Sequence, residues 1–170
     1  IDEMIRAIQS LSKRKVGALI VISQNSDLTD VIRTGTTVDA VISAMLLENI
    51  FEPNTPLHDG AMIVKDNRVV AAGCFLPLSD NILIDRKLGT RHRAALGMSE
   101  RSDAIIIVVS EETGVISYAK EGNLHRYLDS RALRELLEQI YAQPQKPVSR
   151  LRDNILRHLK QGKEGEKNER

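Results

Sequence analysis

Two runs, VGALIVIS at 16–23 and DAIIIVVS at 103–110, most restrict what this chain can fold into. Both are continuous, apolar and rich in Val and Ile, and β-branched residues on this length scale form strands rather than helices. A strand without alternating polar positions is buried, so it needs a sheet with helices laid against it. The second run is the strongest strand signal in the chain.

The flanking segments supply those helices. Ile1, Met4, Ile5, Ile8 and Leu11 recur at helical spacing and predict an amphipathic first helix. NSDLTD and RTGTT read as turns. Thr36 followed by Asp39 resembles a capping box, which predicts a helix carrying Val38, Val41, Ile42, Met45 and Leu46 on one face. The prolines of FEPNTP stop it. AMIV and RVVAAGCF flank Lys65-Asp66-Asn67 as a β-hairpin. A loop follows, and Thr90 opens a helix running to Met98. EETG then turns the chain into the strand VISYAK. Leu133, Leu136, Leu137 and Ile140 mark a further helix closed by QPQKP.

The order α-β-α-ββ-α-ββ-α-α predicts an α/β fold, a central twisted mixed β-sheet surrounded by helices. One catalytic-sized domain is expected over 1–142. An amphipathic helix at 143–160 carries Val148, Leu151, Ile155, Leu156 and Leu159, and an apolar-free, disordered tail covers 161–170.

Composition removes several function classes. The net charge of +1 gives no global field for nucleic acid or anionic lipid, so any anion must be held by a local cluster. Aromatic residues are 3 % and tryptophan is absent, which argues against base-stacking platforms. The single cysteine, Cys74, lies in an apolar run with no neighbouring cation and reads as a buried, inert thiol of a reducing compartment. No stretch of about 20 apolar residues could span a bilayer, and no signal peptide is present. The chain opens at Ile1 rather than Met, so an excised piece of a longer protein is expected.

Three segments carry candidate chemistry. In PLHDGAMIV, Asp59-Gly60-Ala61 sits where a loop enters a strand, preceded by His58. The small residues let a ligand approach the backbone. The carboxylate could hold a metal or take a proton from an attacking hydroxyl. Alone, the tripeptide reads more readily as a turn that starts a hairpin. In LGTRHRAALGMSE, Thr90-Arg91-His92-Arg93 opens a helix whose free N–H groups and dipole favour an anion. Two arginines at that end are unfavourable without a counter-charge, supplied either by phosphate or by Asp85 and Glu100. Ser110-Glu111-Glu112 follows the strongest strand, where open α/β sheets collect ligands. It could give a metal ligand or be an exposed acidic turn. The phosphate-loop, dinucleotide, nucleophile-elbow and Cys-x-x-Cys templates are all absent.

Together, in this order, the Asp59-Gly60-Ala61 and Arg91-His92-Arg93 signatures with IIIVVSEETG behind them resemble the catalytic domain of bacterial diadenylate cyclases, over about residues 1–142. The resemblance is nearest to the membrane-bound CdaA type, and implies a DAC-domain fold and the cytoplasmic domain of a membrane-anchored bacterial protein. It implies condensation of two ATP into cyclic di-AMP and two pyrophosphates by a face-to-face homodimer. It places Asp59, Gly60, Ala61, Arg91, His92 and Arg93 in the catalytic set. Thr90, Arg91, Arg93, Leu76, Ser110 and Gly60 would bind ATP, Leu76 lining the adenine pocket. His58, Asp59 and Glu112 would share a divalent metal ion, Mg, Mn or Co. Kinship further implies a membrane regulator with YbbR repeats and phosphoglucosamine mutase as partners. His92 has no assigned chemistry beyond packing inward to fix the two arginines. Two other readings are a non-catalytic sensor of ATP or cyclic di-AMP and a nucleic-acid binder, the latter disfavoured by charge and aromatic content.

Overall fold

Successive side chains of a strand point to opposite faces, so a run apolar at every position must be covered twice. Strands β1 (Ala18–Ile22) and β5 (Ile105–Val109) are buried at all five positions. Ala18, Ile20, Ile22, Ile105, Ile107 and Val109 join one core, whereas Leu19, Val21, Ile106 and Val108 join another. The computed structural model describes residues 1–80 and 88–142.

Helices α1 (Asp2–Arg14), α3 (Ala44–Ile50) and α5 (Ser130–Ala142) cover the first face through Met4, Ile8, Leu11, Leu47, Leu133 and Leu137. Helix α4 (Thr90–Arg101) covers the second with Ala94, Ala95 and Met98. Each fully buried Leu or Ile side chain here contributes about 1.5–3 kcal/mol of transfer free energy. The remaining strands are β2 (Thr36–Val41), β3 (Ala61–Lys65), β4 (Arg68–Cys74), β6 (Ile116–Lys120) and β7 (Asn123–Arg126), with a short α2 (Thr29–Arg33) before β2. The seven strands run in the order β2-β4-β3-β1-β5-β6-β7. Among the described residues only β1 and β3 pair in parallel, and the other five pairings are antiparallel. The expected mixed sheet surrounded by helices is what the chain forms.

The β3–β4 hairpin turns through Asp66 (φ 49°) and Asn67 (φ 60°). Both are left-handed, the conformation whose twist suits adjoining strands.

Three sequence expectations are corrected. Thr36 to Val41 do not open a helix: Thr36, Thr37 and Val38 favour an extended chain, and this edge strand pairs with β4. The helix starts later, where Ser43 caps it by accepting from the Leu46 amide at 3.2 Å. Val41 and Met45, expected on its apolar face, are exposed. The turns expected at 25–30 and 33–37 are bridged by α2, whose start Asp27 supports by accepting from the Thr29 amide at 2.9 Å. Finally, β7 was not expected: it is an edge strand with one half-buried and three exposed residues, too polar to show alternation. The expected helix at 143–160, the tail at 161–170 and Asp85 lie outside the described residues.

Candidate active site

Two clefts meet at the start of α4. The first, about 410 Å³, is lined by Leu19 of β1, Asp59 and Gly60 before β3, Cys74, Phe75, Leu76 and Leu78 at and after the end of β4, and Thr90, Arg91 and Ala94 of α4. That volume suits a small-molecule ligand. Asp59 is exposed, so its carboxylate needs no partner within the fold. Gly60 adopts φ 134°, and a Cβ there would stand 2.7 Å from the Gly73 carbonyl carbon and 2.8 Å from the Cys74 oxygen. The backbones of the two strand ends touch because residue 60 has no side chain. Burial pushes the Cys74 thiol up, in keeping with an inert floor residue.

The second cleft, about 130 Å³, lies beyond the C-terminal end of β5. Thr90, Arg91 and His92 line one side of it and Ser110, Glu111, Glu112 and Arg126 the other. Ser110 anchors this turn: its hydroxyl accepts from the Thr113 amide at 3.2 Å and its carbonyl from the Gly114 amide at 2.9 Å. Gly89 caps α4 in extended conformation without a side-chain hydrogen bond, and no acidic residue occupies the first turn. The positive end of the helix is thus open toward both clefts. Arg91, which borders both, is held by Glu111, with Nη1 donating to Oε2 at 2.7 Å. The counter-charge is therefore Glu111, whereas Glu100 serves elsewhere. The pair lies against Gly17, where a Cβ would stand 2.8 Å from the guanidinium carbon and 3.0 Å from Glu111 Oε2.

The structure thus gathers Asp59, Gly60, Leu76, Thr90 and Arg91 around one cleft, and Thr90, Arg91, His92, Ser110 and Glu112 around the other. Ala61 is buried as the first residue of β3. Arg93 lines neither cleft; its Nη2 donates to the Ser79 carbonyl at 3.3 Å. Positions 91 and 93 differ by about 200° around a helix, which sends the two side chains to opposite sides. His58 is half-buried with Nδ1 2.5 Å from the Thr55 carbonyl oxygen, a partner that fits only a donating Nδ1. Among the described residues no group of three or more His, Cys, Asp or Glu side chains forms a metal cluster. His58, Asp59 and Glu112 are therefore not assembled into one ligand set within a single chain. Gly17 and Arg126 carry no sequence signal of their own, and Glu111, read in Ser110-Glu111-Glu112 as a candidate metal ligand or exposed turn, pairs with Arg91.

His92 packs inward: it is 5 % exposed, and its Nε2 is buried without a hydrogen-bond partner among the described residues. Burial lowers its pKa below the usual imidazole value, Arg126 adds to the shift, and Glu112 opposes it. The folded chain favours neutral imidazole, while the unfolded chain takes up a proton as pH falls through about 6.5. Protons then bind preferentially to the unfolded state, so this contribution is whole above that value and is lost progressively below it. We expect the melting temperature to fall between about pH 7.5 and about pH 5.5, and to fall less in His92→Gln. Equal losses in both chains would rule out this role for His92.

A family model described as DisA bacterial checkpoint controller nucleotide-binding matches residues 5–124. Cyclic di-AMP synthase CdaA of Bacillus subtilis is 52 % identical over 138 residues, 81 % of this chain and 50 % of that protein. Diadenylate cyclase CdaS of Bacillus thuringiensis is 57 % identical over 119 residues, 70 % of this chain and 59 % of that protein. The chain thus spans about half the length of the first of these relatives. A crystal structure of a DacA double mutant from Staphylococcus aureus superposes with a TM-score of 0.81 at 47 % identity, covering 82 % of this chain and 93 % of that one. A structure described as a hypothetical membrane spanning protein from Bacillus cereus gives 0.73 at 53 % identity, covering 75 % and 63 %. Among the described residues no helix is long and apolar enough to cross a membrane.

Proposed function

The chain belongs to the DisA bacterial checkpoint controller nucleotide-binding family, and from that membership we propose that it is a diadenylate cyclase domain condensing two ATP into cyclic di-AMP and two pyrophosphates. The observation that carries this reading is the meeting of two unlike clefts at one helix start. One has an apolar wall and a free carboxylate; the other is polar and faces the open N-terminus of α4. A nucleoside suits the first and a triphosphate the second. The names of the relatives, cyclic di-AMP synthase and diadenylate cyclase, support the same reaction.

In this reading Leu76 and its neighbours take the adenine, Gly60 leaves room for the ribose, and Thr90, Arg91 and Ser110 hold phosphate oxygens. Arg91 exchanges its Glu111 partner for phosphate, a swap between two oxyanions that leaves its charge paired throughout. Asp59 orients the 3′-hydroxyl and accepts its proton as the oxygen bonds to the α-phosphorus of the other ATP. The bond from that phosphorus to the bridging oxygen breaks, and pyrophosphate leaves with the electron pair. A divalent cation suits the donors, since Mg²⁺ commonly takes one or two protein carboxylates, here Asp59 or Glu112, and completes its shell with phosphate oxygens. When bound it would neutralise charge developing on the phosphates. The choice among Mg, Mn and Co follows from whether a His58 nitrogen joins the oxygens.

Cyclic di-AMP has two equivalent phosphodiester bonds, so two sites must face each other across a two-fold axis. The exposure of Asp59 supports such an encounter. Specific activity should therefore rise with protein concentration through the range where dimer forms, measured alongside sedimentation. Turnover that stays constant down to demonstrable monomer would exclude the facing arrangement. The direct test of the function is incubation of the chain with ATP and Mg²⁺, Mn²⁺ or Co²⁺, with cyclic di-AMP sought by chromatography. No product with any metal at high protein concentration would overturn the reading.

The CdaA-type likeness, with a neighbour described as membrane spanning, supports a membrane-anchored parent with this domain in the cytoplasm. A YbbR-repeat regulator and phosphoglucosamine mutase are the partners that kinship suggests, and nucleic acid is not among them.

A further inference from the structure

Helix α4 has a second stripe on the side opposite Arg91. Arg93, Gly97 and Glu100 recur at the i, i+4, i+7 spacing of one helical face, and all three meet the segment 77–79. The Ser79 amide donates to the Arg93 carbonyl at 3.0 Å, and Arg93 Nη2 returns a bond to the Ser79 carbonyl at 3.3 Å. The Ser79 hydroxyl, on a residue only 1 % exposed, donates to Glu100 Oε1 at 2.6 Å. Between these bonds Gly97 lets the segment lie directly on the helix. A Cβ at 97 would stand 2.6 Å from both the Leu78 carbonyl carbon and the Ser79 nitrogen, and closer still to the Pro77 oxygen. A glycine inside a helix is unfavourable relative to alanine, and this close backbone approach gives it a reason.

The clamped segment continues from the apolar wall of the first cleft. Phe75, Leu76 and Leu78 line that cleft with Asp59, yet Phe75 and Leu78 are 68 % and 40 % exposed. Their own burial therefore does little to fix where the wall stands. The near end of the wall is tied by the Phe75 amide, which donates to Thr34 Oγ1 at 2.9 Å, and by half-buried Leu76 packed on the core; the clamp, one to four residues along the chain, holds its far end.

We propose that Gly97 and Glu100, acting through Ser79, are positioning residues that set the nucleoside wall of the site without touching the phosphates. The inference rests on the nucleotide reading above. It explains why one helix both opens toward the phosphate cleft and grips the strap: the two ends of the ligand are registered by a single rigid element. Releasing the strap should weaken recognition of the nucleoside and spare recognition of the phosphate chain.

The test is calorimetric titration of the chain, Gly97→Ala, Glu100→Ala and Glu100→Gln with ATP and with inorganic tripolyphosphate, each with Mg²⁺, next to steady-state kinetics. Removing a charge-assisted hydrogen bond should weaken ATP binding and raise KM about tenfold in Glu100→Ala, with kcat lowered no more than about threefold. Gly97→Ala should do the same or more. Glu100→Gln, which keeps an acceptor oxygen, should recover most of the ATP affinity. Tripolyphosphate affinity should stay within about twofold in all three, as expected if phosphate contacts are untouched. ATP affinity unchanged in both Gly97→Ala and Glu100→Ala would overturn the proposal. So would tripolyphosphate and ATP affinities falling together, or Glu100→Gln behaving as Glu100→Ala. Because the binding readout needs no turnover, an unmodified chain that binds ATP but yields no cyclic di-AMP would sink the cyclase reading while the clamp is still decided by the variants.

Discussion

Asp59→Asn is expected to abolish cyclic di-AMP formation while leaving ATP binding nearly intact. The substitution keeps shape and one acceptor oxygen but removes the charge and the basicity that the attacking hydroxyl requires. General-base contributions of this kind amount to roughly 10²–10⁴-fold in rate. Because Asp59 is exposed, the fold should be indifferent, with stability changing by less than about 0.5 kcal/mol. Product formation by chromatography and ATP affinity by calorimetry separate the two effects. A variant that turns over at the unmodified rate would remove Asp59 from the chemistry. One that loses ATP affinity in proportion to rate would make it a binding residue instead.

The second large effect falls on stability. Gly60→Ala should destabilise the chain by roughly 2–5 kcal/mol, combining strain at a positive φ with crowding in a packed interior. At this chain length that lowers the melting temperature by about 10 °C. The cause is specific, since the added methyl would press on the backbone of Gly73 and Cys74, where β4 ends, and neither chain can give way without parting β3 from β4. Gly89 provides the contrast. It sits at φ −66° with nothing among the described residues within 4 Å of where a Cβ would stand, so Gly89→Ala should melt within about 2 °C of the unmodified chain. Thermal unfolding of the two variants side by side decides the matter, and indistinguishable melting temperatures would mean that the contact at residue 60 does not exist in solution.

What could be read from the sequence follows how strongly each element is buried. The central strands announced themselves because every position of β1 and β5 faces a core, and the β3–β4 hairpin because Asp66 and Asn67 tolerate left-handed backbone. The two edge strands did not. β2 and β7 pair on one side only and expose most of their residues, so local patterning cannot separate them from turns. Thr36 illustrates the difficulty, since a Thr–Asp pair caps helices and a Thr–Thr–Val run makes strands, and only pairing with β4 decides between them. At the site, the residues joined by chain-local signals were found: the Gly89–Thr90 helix start, the Asp59–Gly60 turn and the turn after β5. Contacts between distant segments were not. Glu111 reaches Arg91 across 20 positions, and Gly97 has a role only because a loop 18 to 20 residues earlier rests on it. Helical geometry alone, by contrast, could have shown that Arg91 and Arg93 diverge.

The pairing of β1 also constrains how the chain acquires its structure. Its neighbours are β3, with Ile20 opposite Met62, and β5, with Ala18 opposite Val109. Strand β1 therefore waits for one partner more than 40 residues later and for another some 90 residues later. The hairpins β3–β4 and β5–β6–β7 close through short loops and can form early, whereas the centre of the sheet bears the entropic cost of long-range closure. Both clefts converge on α4, which packs over that centre, so the start of α4 gains its surroundings only when the slowest step is done. On a ribosome, a nascent chain halted before β5 would hold every residue of the Asp59 cleft and lack the turn after β5 that completes the second cleft.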